Sequence, residues 1–200
     1  VDRRLALADG LDLLLILPEI LLAMLGLVVL GVDLFYLRRR RSDGVARSNK
    51  LGYVILFSLF GLAAVNYLTG SRSWLLQRFA PGLFAELSVR TTAFGGAFQA
   101  DGITQFFRVV FMLAAALVVL LSLDRDWGGH EGEYYGLLVL SVLGMSLMAA
   151  AGELVTIYVA LELTSISLYL LAAFDFRRRS IEAGLKYLSL IHISEPTRPY

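Results

Sequence analysis

The stretch that decides the fold is Tyr158-Val159-Ala160-Leu161-Glu162-Leu163-Thr164-Ser165-Ile166-Ser167-Leu168-Tyr169, an apolar helix pattern with one carboxylate near its middle. It lies within an apolar run, residues 154–174, which spans about 30 Å as a helix and so matches the hydrocarbon core of a bilayer. An ionisable side chain at the centre of a spanning helix costs about 2.5–3.5 kcal/mol on insertion scales. Because such residues usually serve a function, Glu162 is the first candidate for chemistry.

The composition of the whole chain is typical of an integral membrane protein. Its 200 residues are 58% hydrophobic and 18% charged, and the mean hydropathy is +0.70. Soluble domains carry about 25% charged residues and cannot bury this much apolar surface. The net charge of +1 gives no reason to expect nucleic acid as a partner. The absence of cysteine excludes disulfides, thiolate metal sites and iron–sulfur clusters, and two histidines in unrelated contexts do not indicate a metal site.

The apolar runs predict an all-α, polytopic membrane fold with five transmembrane helices and the start of a sixth. The run at 134–174 would be about 60 Å long as a single helix, twice the thickness of the membrane core. We therefore expect a turn at Gly152-Glu153. The expected helices are 11–37, 51–68, 103–123, 134–151 and 154–174, followed by 181–188.

Arginine clusters predict the orientation in the membrane. Arg38–Arg41 follow the first helix and Arg177–Arg179 follow the fifth, so five crossings place both clusters on one side. By the positive-inside rule that side is the cytoplasm, with the N-terminus outside. The segment 69–102 is then an external loop, in which we expect a short interfacial helix at 74–87 and Asp101 as the N-cap of the third helix.

The last segment, residues 189–200, does not continue the helical pattern. It contains Pro196 and Pro199, which do not allow a helix to continue, and only about eleven positions, from Ile181 to Ile191, are available to the sixth helix, too few to span a membrane. The segment resembles translated sequencing-adapter sequence. We expect it to be foreign to the protein and derive no function from it.

Two ionisable residues are candidates for a proton relay. Glu162 either exchanges protons or is a structural residue whose carboxyl is satisfied by the nearby hydroxyls of Thr164 and Ser165. Lys186, in the sixth helix, either belongs to the same relay or forms an i,i+4 pair with Glu182 and extends to water.

Other polar residues fit structural roles better. Glu153, at the expected turn, and Glu19, after Pro18 in the first helix, are secondary candidates, each more easily explained by its place at a helix end. We expect Arg108 to extend outward to water and the segment 130–133 to be a solvated loop. Small residues, among them Gly144, suit close packing of the fourth helix.

Helices 4 to 6 contain motifs that resemble the subunit N family of bacterial complex I, the NADH–quinone oxidoreductase. The matching motifs are Gly132-Glu133-Tyr134-Tyr135, Gly144-Met145, Met148, Gly152-Glu153-Leu154, Tyr158-Val159-Ala160-Leu161-Glu162-Leu163, Ser167-Leu168-Tyr169-Leu170-Leu171-Ala172-Ala173-Phe174 and Glu182-Ala183-Gly184-Leu185-Lys186-Tyr187. Leu17-Pro18-Glu19 and Asp101-Gly102, with Phe106-Phe107-Arg108, are similar too.

The resemblance implies an N-terminal fragment of a larger antiporter-like fold. Members of the family have about fourteen helices, with three lead-in helices followed by inverted repeats. Residues 1–133 would be the lead-in helices, and 134–188 the start of the first repeat. The family also implies a role for Glu162, which would pair with a lysine on a seventh helix, and for Lys186, which would belong to the charged axis of the membrane arm.

The implied activity is the coupling of quinone reduction to proton translocation. The NAD, flavin, iron–sulfur and quinone sites would lie in other subunits, so no cofactor and no metal is expected in this chain. Its partners would be other membrane-arm subunits and the lipid bilayer. A cation/proton antiporter or hydrogenase membrane subunit is the first alternative, and a small membrane scaffold that transports nothing is the second.

Overall fold

The computed structural model describes residues 13, 15–37, 50–69, 92–125, 130–175 and 178–191. In chain order the elements are α1 (Leu17–Val32) with a π-helical turn (Asp33–Leu37), α2 (Lys50–Thr69), β1 (Thr92–Ala93), β2 (Phe98–Gln99), α3 (Gly102–Ser122), α4 (Glu131–Ala150), α5 (Leu154–Ala172) and α6 (Arg178–Ile191). The helices α1, α3, α4 and α5 are long and apolar enough to cross a membrane, and α2 contains a shorter apolar helix at Leu51–Tyr67. The all-α, polytopic fold is as predicted from the sequence.

The long apolar run is divided at the predicted turn. The helix α4 ends at Ala150 and α5 begins at Leu154, with Gly152 and Glu153 between them. The start of α4 differs from the prediction, because residues expected in a solvated loop form its first helical turn. His130 and Glu133 remain exposed there, and their Nδ1 and Oε2 atoms lie 3.1 Å apart.

The central helix is α4, which contacts α1, α2, α3 and α5. More than half of its residues are buried. The fully buried apolar side chains that form the core around it are Leu22, Ile55, Leu59, Met112, Val119 and Val139. Packing and polar contacts, rather than the exclusion of water, have to hold such a bundle together in lipid.

Successive helices run in opposite directions, which gives the bundle two distinct ends. At one end, called the hairpin end below, Thr104 at the start of α3 contacts Ala149 at the end of α4, and Gln105 donates to the side-chain oxygen of Asn66 near the end of α2. At the other end, called the Tyr135 end, the Ser122 hydroxyl donates to the Tyr135 hydroxyl at 3.2 Å.

A two-stranded hairpin closes the hairpin end. Its antiparallel strands pair Thr92 with Gln99 and Ala93 with Phe98, and Phe98 also forms a bridge with Ala151. The Gly152 N–H donates to the Ala97 carbonyl at 2.9 Å. This hairpin was not predicted from the sequence, and the interfacial helix predicted at 74–87 lies outside the described residues.

The sixth helix is connected to the rest of the bundle through α5. Gly184 lies so close to α5 that a Cβ at this position would be 2.7 Å from the Ala173 Cβ. The helix continues to Ile191 and so includes the first three residues of the segment 189–200, which was expected to be foreign. Residues 192–200 lie outside the described part of the chain.

Candidate functional site

Glu162 lies near the middle of α5 and is partly exposed. Of the two hydroxyls that could satisfy it, Thr164 donates instead to the Ala160 carbonyl at 2.8 Å, and Ser165 forms no hydrogen bond with Glu162 within the described residues. Ser167, further along the helix, donates to the Leu163 carbonyl at 2.8 Å. Among the described residues, Glu162 has neither a hydrogen-bond partner nor an ion-pair partner.

A close contact between α4 and α5 fixes the position of Glu162. Gly144 of α4 packs on the α5 backbone, so that a Cβ at this position would lie 2.8 Å from the Thr164 nitrogen and 3.0 Å from the Ala160 oxygen. Glu162 lies between these two residues in the sequence. The expectation that Gly144 allows close helix packing is confirmed.

Lys186 is exposed on α6, and the structure does not bring it to Glu162. The expected Glu182–Lys186 pair is also absent in this part of the chain. Glu182 instead contacts the residue one turn earlier, with 3.7 Å between the Arg178 Nε and the Glu182 Oε1 atoms. Both of those side chains are exposed, so their attraction is weakly stabilising.

Glu153 is the residue immediately before α5, and it is exposed. Its backbone is extended, and its Oε1 atom accepts a hydrogen bond from the Thr156 hydroxyl at 3.3 Å. This contact lies at the helix end, about half the length of α5 away from Glu162.

Glu19 is a buried carboxylate, and both of its oxygens accept hydrogen bonds. Glu19 of α1 accepts hydrogen bonds from the Arg108 Nε atom at 2.7 Å and from the Arg108 Nη2 atom at 3.0 Å. Both side chains are buried, with exposures of 2% and 3%. Bidentate pairing of a guanidinium with a carboxylate is a strong and directional form of ion pair.

Further contacts complete this buried cluster. The Ser146 hydroxyl of α4 donates to Glu19 at 2.6 Å, and Arg108 Nη2 also donates to the Leu15 carbonyl at 3.3 Å. The guanidinium lies 5.3 Å from the ring centre of Phe98 in the hairpin. The cluster therefore links α1, α3, α4 and the hairpin.

The prediction that Arg108 extends outward to water was wrong. Burial is possible because Glu19 supplies the opposite charge at the same depth in the bundle. One sequence signal was available: Thr104, Arg108, Met112, Ala115 and Val119 recur at helical spacing and form the buried stripe of α3. No sequence signal singled out Ser146.

Asp101 is the N-cap of α3, as predicted. Its Oδ1 atom accepts a hydrogen bond from the Thr104 N–H at 2.8 Å. The bond from this backbone N–H is the main reason why the pKa of the Asp101 carboxyl is lowered from its ordinary value of 3.8. The cap fixes the start of the helix that carries Arg108.

Comparison with known proteins connects these features with a family. A family model described as NADH:quinone oxidoreductase/Mrp antiporter, TM, matches residues 151–196, which include α5 and Glu162. The chain is 39% identical to NADH-quinone oxidoreductase subunit N 1 of Roseiflexus castenholzii, over 88% of this chain and 35% of the relative. The chain is homologous to the subunit N family.

Other members of the subunit N family match over a similar extent. The identity is 37% to subunit N of Parvibaculum lavamentivorans, over 87% of this chain and 32% of the relative. It is 34% to subunit N of Dehalococcoides mccartyi, over 88% of this chain and 32% of the relative. The chain thus spans about a third of the length of these relatives.

The foreign origin of the segment 189–200 stays a prediction. The match to the family model extends to residue 196 and so includes most of that segment.

Proposed function

We propose that the chain forms part of the membrane arm of a complex I type NADH–quinone oxidoreductase, in which Glu162 takes up and releases protons during translocation. The observation that carries this proposal is the position of Glu162, near the middle of a membrane-length helix and without a partner among the described residues. An unpaired ionisable group at that depth is costly, and it is typical of proton and ion pathways.

No described residue pairs with Glu162, so we propose that its positive partner is a residue beyond the described part of this chain. A lysine contributed by a further helix would form an intramembrane Glu/Lys relay, in which pairing and separation change the affinity of each group for a proton. Lys186 is the second member that we propose for this relay. Lys186 is exposed on α6, so a residue of a further helix can reach its amino group. We place Glu153 and Glu19 outside the relay, because Glu153 lies at the exposed start of α5 and Glu19 is fully paired.

We further propose that the chain acts as a subunit and carries no cofactor. Redox chemistry on NAD, flavin, iron–sulfur clusters and quinone would take place in other subunits, with which this chain assembles in the bilayer. The proposed location is a bacterial plasma membrane, with the hairpin end outside. The direction of the helices supports this orientation, because α1 and α5 both finish at the Tyr135 end and each is followed by an arginine cluster.

The test is a comparison of two carboxylate variants in the assembled complex. Glu162→Gln removes the exchangeable proton with little change in shape, and Glu153→Gln is the matched control at the exposed end of the same helix. After reconstitution in liposomes, we expect Glu162→Gln to retain assembly but to translocate fewer protons per NADH oxidised, whereas Glu153→Gln keeps the wild-type ratio. A wild-type ratio for Glu162→Gln contradicts the proposal.

A cation/proton antiporter is the second candidate function, because the description of the matching family includes the Mrp antiporter. It is distinguished by its driving reaction: an antiporter carrying Glu162→Gln would lose cation-driven proton movement in the absence of NADH. A membrane scaffold predicts that neither variant changes any transport.

A further inference from the structure

Glu19 and Glu162 both lie on membrane-length helices, but Glu19 is buried in the bundle and Glu162 is partly exposed. Glu19 receives three hydrogen bonds, two from Arg108 and one from Ser146, and every donor is an N–H or an O–H. Hydrogen bonds on both oxygens, two of them from a guanidinium cation, favour the carboxylate form of Glu19 over the protonated acid. Glu162 receives no such bond within the described part of the chain.

We infer that Arg108 holds Glu19 as a fixed carboxylate that does not exchange protons, and that Glu162 is the carboxyl group open to protonation. Arg108 is then a positioning residue: it takes no part in proton transfer, but it keeps a neighbouring carboxylate out of it. The consequence for transport rests on the proposed function, whereas the difference between the two carboxyl groups follows from their contacts alone.

The surroundings of Arg108 explain why its ion pair with Glu19 is stable. The guanidinium is held on three sides, by the Glu19 carboxylate, the Leu15 carbonyl and the Phe98 ring. Removing an arginine from such a site leaves an uncompensated carboxylate in an apolar interior. Neutralisation by proton uptake is the favourable response of a buried carboxylate that has lost its partner.

A hydrophobic carbodiimide distinguishes protonated carboxyl groups from carboxylates. In the reaction with dicyclohexylcarbodiimide, the carboxyl oxygen bonds to the central carbon of the reagent and the carboxyl proton moves to one of its nitrogens. Nothing leaves, and the adduct rearranges to an N-acylurea of the same mass. The reagent dissolves in lipid, and α5 presents an exposed apolar face around Glu162 that includes Tyr158, Val159 and Ile166.

The experiment uses the whole chain in lipid nanodiscs, treated with dicyclohexylcarbodiimide and mapped by mass spectrometry of its peptides. In the wild-type chain we expect the adduct on Glu162, with at least about tenfold less on Glu19, because hydrogen bonds to a charged group are among the strongest. Equal labelling of Glu19 and Glu162, or no adduct on Glu162, overturns the inference without the need for any variant.

Variants of Arg108 show whether Glu19 escapes labelling because it is ionised or only because it is buried. Arg108→Ala removes the guanidinium and opens space, so we expect a second adduct on Glu19. Arg108→Lys keeps the positive charge, and Glu19 should stay unlabelled. Should Arg108→Ala fail to fold, Arg108→Gln keeps most of the volume and a neutral donor and should also allow labelling. An unlabelled Glu19 in the folded Ala or Gln variant shows that burial alone protects it, which overturns the role of Arg108.

An exposed ion pair provides the matched control. Arg125 and Asp175 are joined at 3.2 Å at the Tyr135 end, and their side chains are 53% and 31% exposed. Arg125→Ala therefore removes an arginine from a pair that lies away from Glu19. We expect the labelling of Glu19 and Glu162 to match the wild type in this variant, and a new adduct on Glu19 would show that labelling reports general loosening. The readout needs no transport, so failure of the proposed function leaves it unchanged.

Discussion

Glu19 and Arg108 lie 89 positions apart in the chain and form a bidentate ion pair inside the bundle, with N–O distances of 2.7 and 3.0 Å. The pair joins α1 to α3, and the Ser146 hydroxyl adds α4 to the same carboxylate. Because each partner is buried, the loss of one leaves the other charge without compensation.

Single and double replacement of this pair should therefore differ in stability. We expect Glu19→Leu or Arg108→Met alone to lower the free energy of unfolding by about 3–5 kcal/mol, and the double variant to lose much less, since an apolar pair leaves no buried charge. Thermal unfolding in detergent, followed by helical circular dichroism, measures the difference. A double variant no more stable than either single variant would contradict the importance of the ion pair.

Substitution of Gly144 should weaken the contact between α4 and α5. The added Cβ of Gly144→Ala would meet the α5 backbone at Thr164 and Ala160, and overpacking of this kind typically costs about 1–3 kcal/mol. Gly61→Ala in α2 is the control, because no atom lies within 4 Å of its added Cβ. We expect Gly61→Ala to leave the unfolding temperature equal or higher, and Gly144→Ala to lower it. Equal effects would contradict the close approach of the two helices.

The cap of α3 should contribute to stability in a pH-dependent way. The pKa of Asp101 is lower in the folded state than its ordinary value of 3.8, so its contribution is fully present above that pH and is lost as the pH falls through the folded pKa. We expect Asp101→Ala to cost about 0.5–2 kcal/mol near neutral pH. The difference between the variant and the wild type should shrink in acid, as measured by unfolding from pH 6 down to about 2. A difference that stays constant over this range would contradict the cap.

The hairpin should detach when Gly152 is given a side chain. A Cβ at this position would overlap the Gly96 carbonyl, and Gly152 also donates to the Ala97 carbonyl. We expect Gly152→Ala to increase hydrogen exchange at the amides of residues 92–99. Gly102→Ala, with nothing near its added Cβ, is the control and should leave that exchange unchanged. Unaltered exchange in Gly152→Ala would show that the hairpin does not depend on this contact.

Much of the fold could be predicted because the membrane sets the length of its helices. An apolar run twice as long as a bilayer core has to turn, and Gly152-Glu153 was the place for it. The cap at Asp101 could be predicted as well, since a cap depends on residues only three positions apart.

The pairing of helices could not be predicted in the same way. The Glu19–Arg108 pair depends on which faces of α1 and α3 meet, and the run lengths contain no information about that. The hairpin was missed because its strands have two residues each, too few to show an alternating pattern. The surroundings of Glu162 were not predictable either, because a neighbouring hydroxyl can bond to a carboxylate or to its own helix, and Thr164 does the latter.

The central claim, that Glu162 gains and loses a proton, is tested most directly by infrared difference spectroscopy of the assembled complex during turnover. A protonated carboxyl group absorbs apart from a carboxylate and from the amide bands, so a change in its proton content is seen as a difference band. We expect such a band in the wild type and in Glu153→Gln, the exposed control on the same helix, and its loss in Glu162→Gln. A band that persists in Glu162→Gln, or that disappears in Glu153→Gln, would contradict the claim.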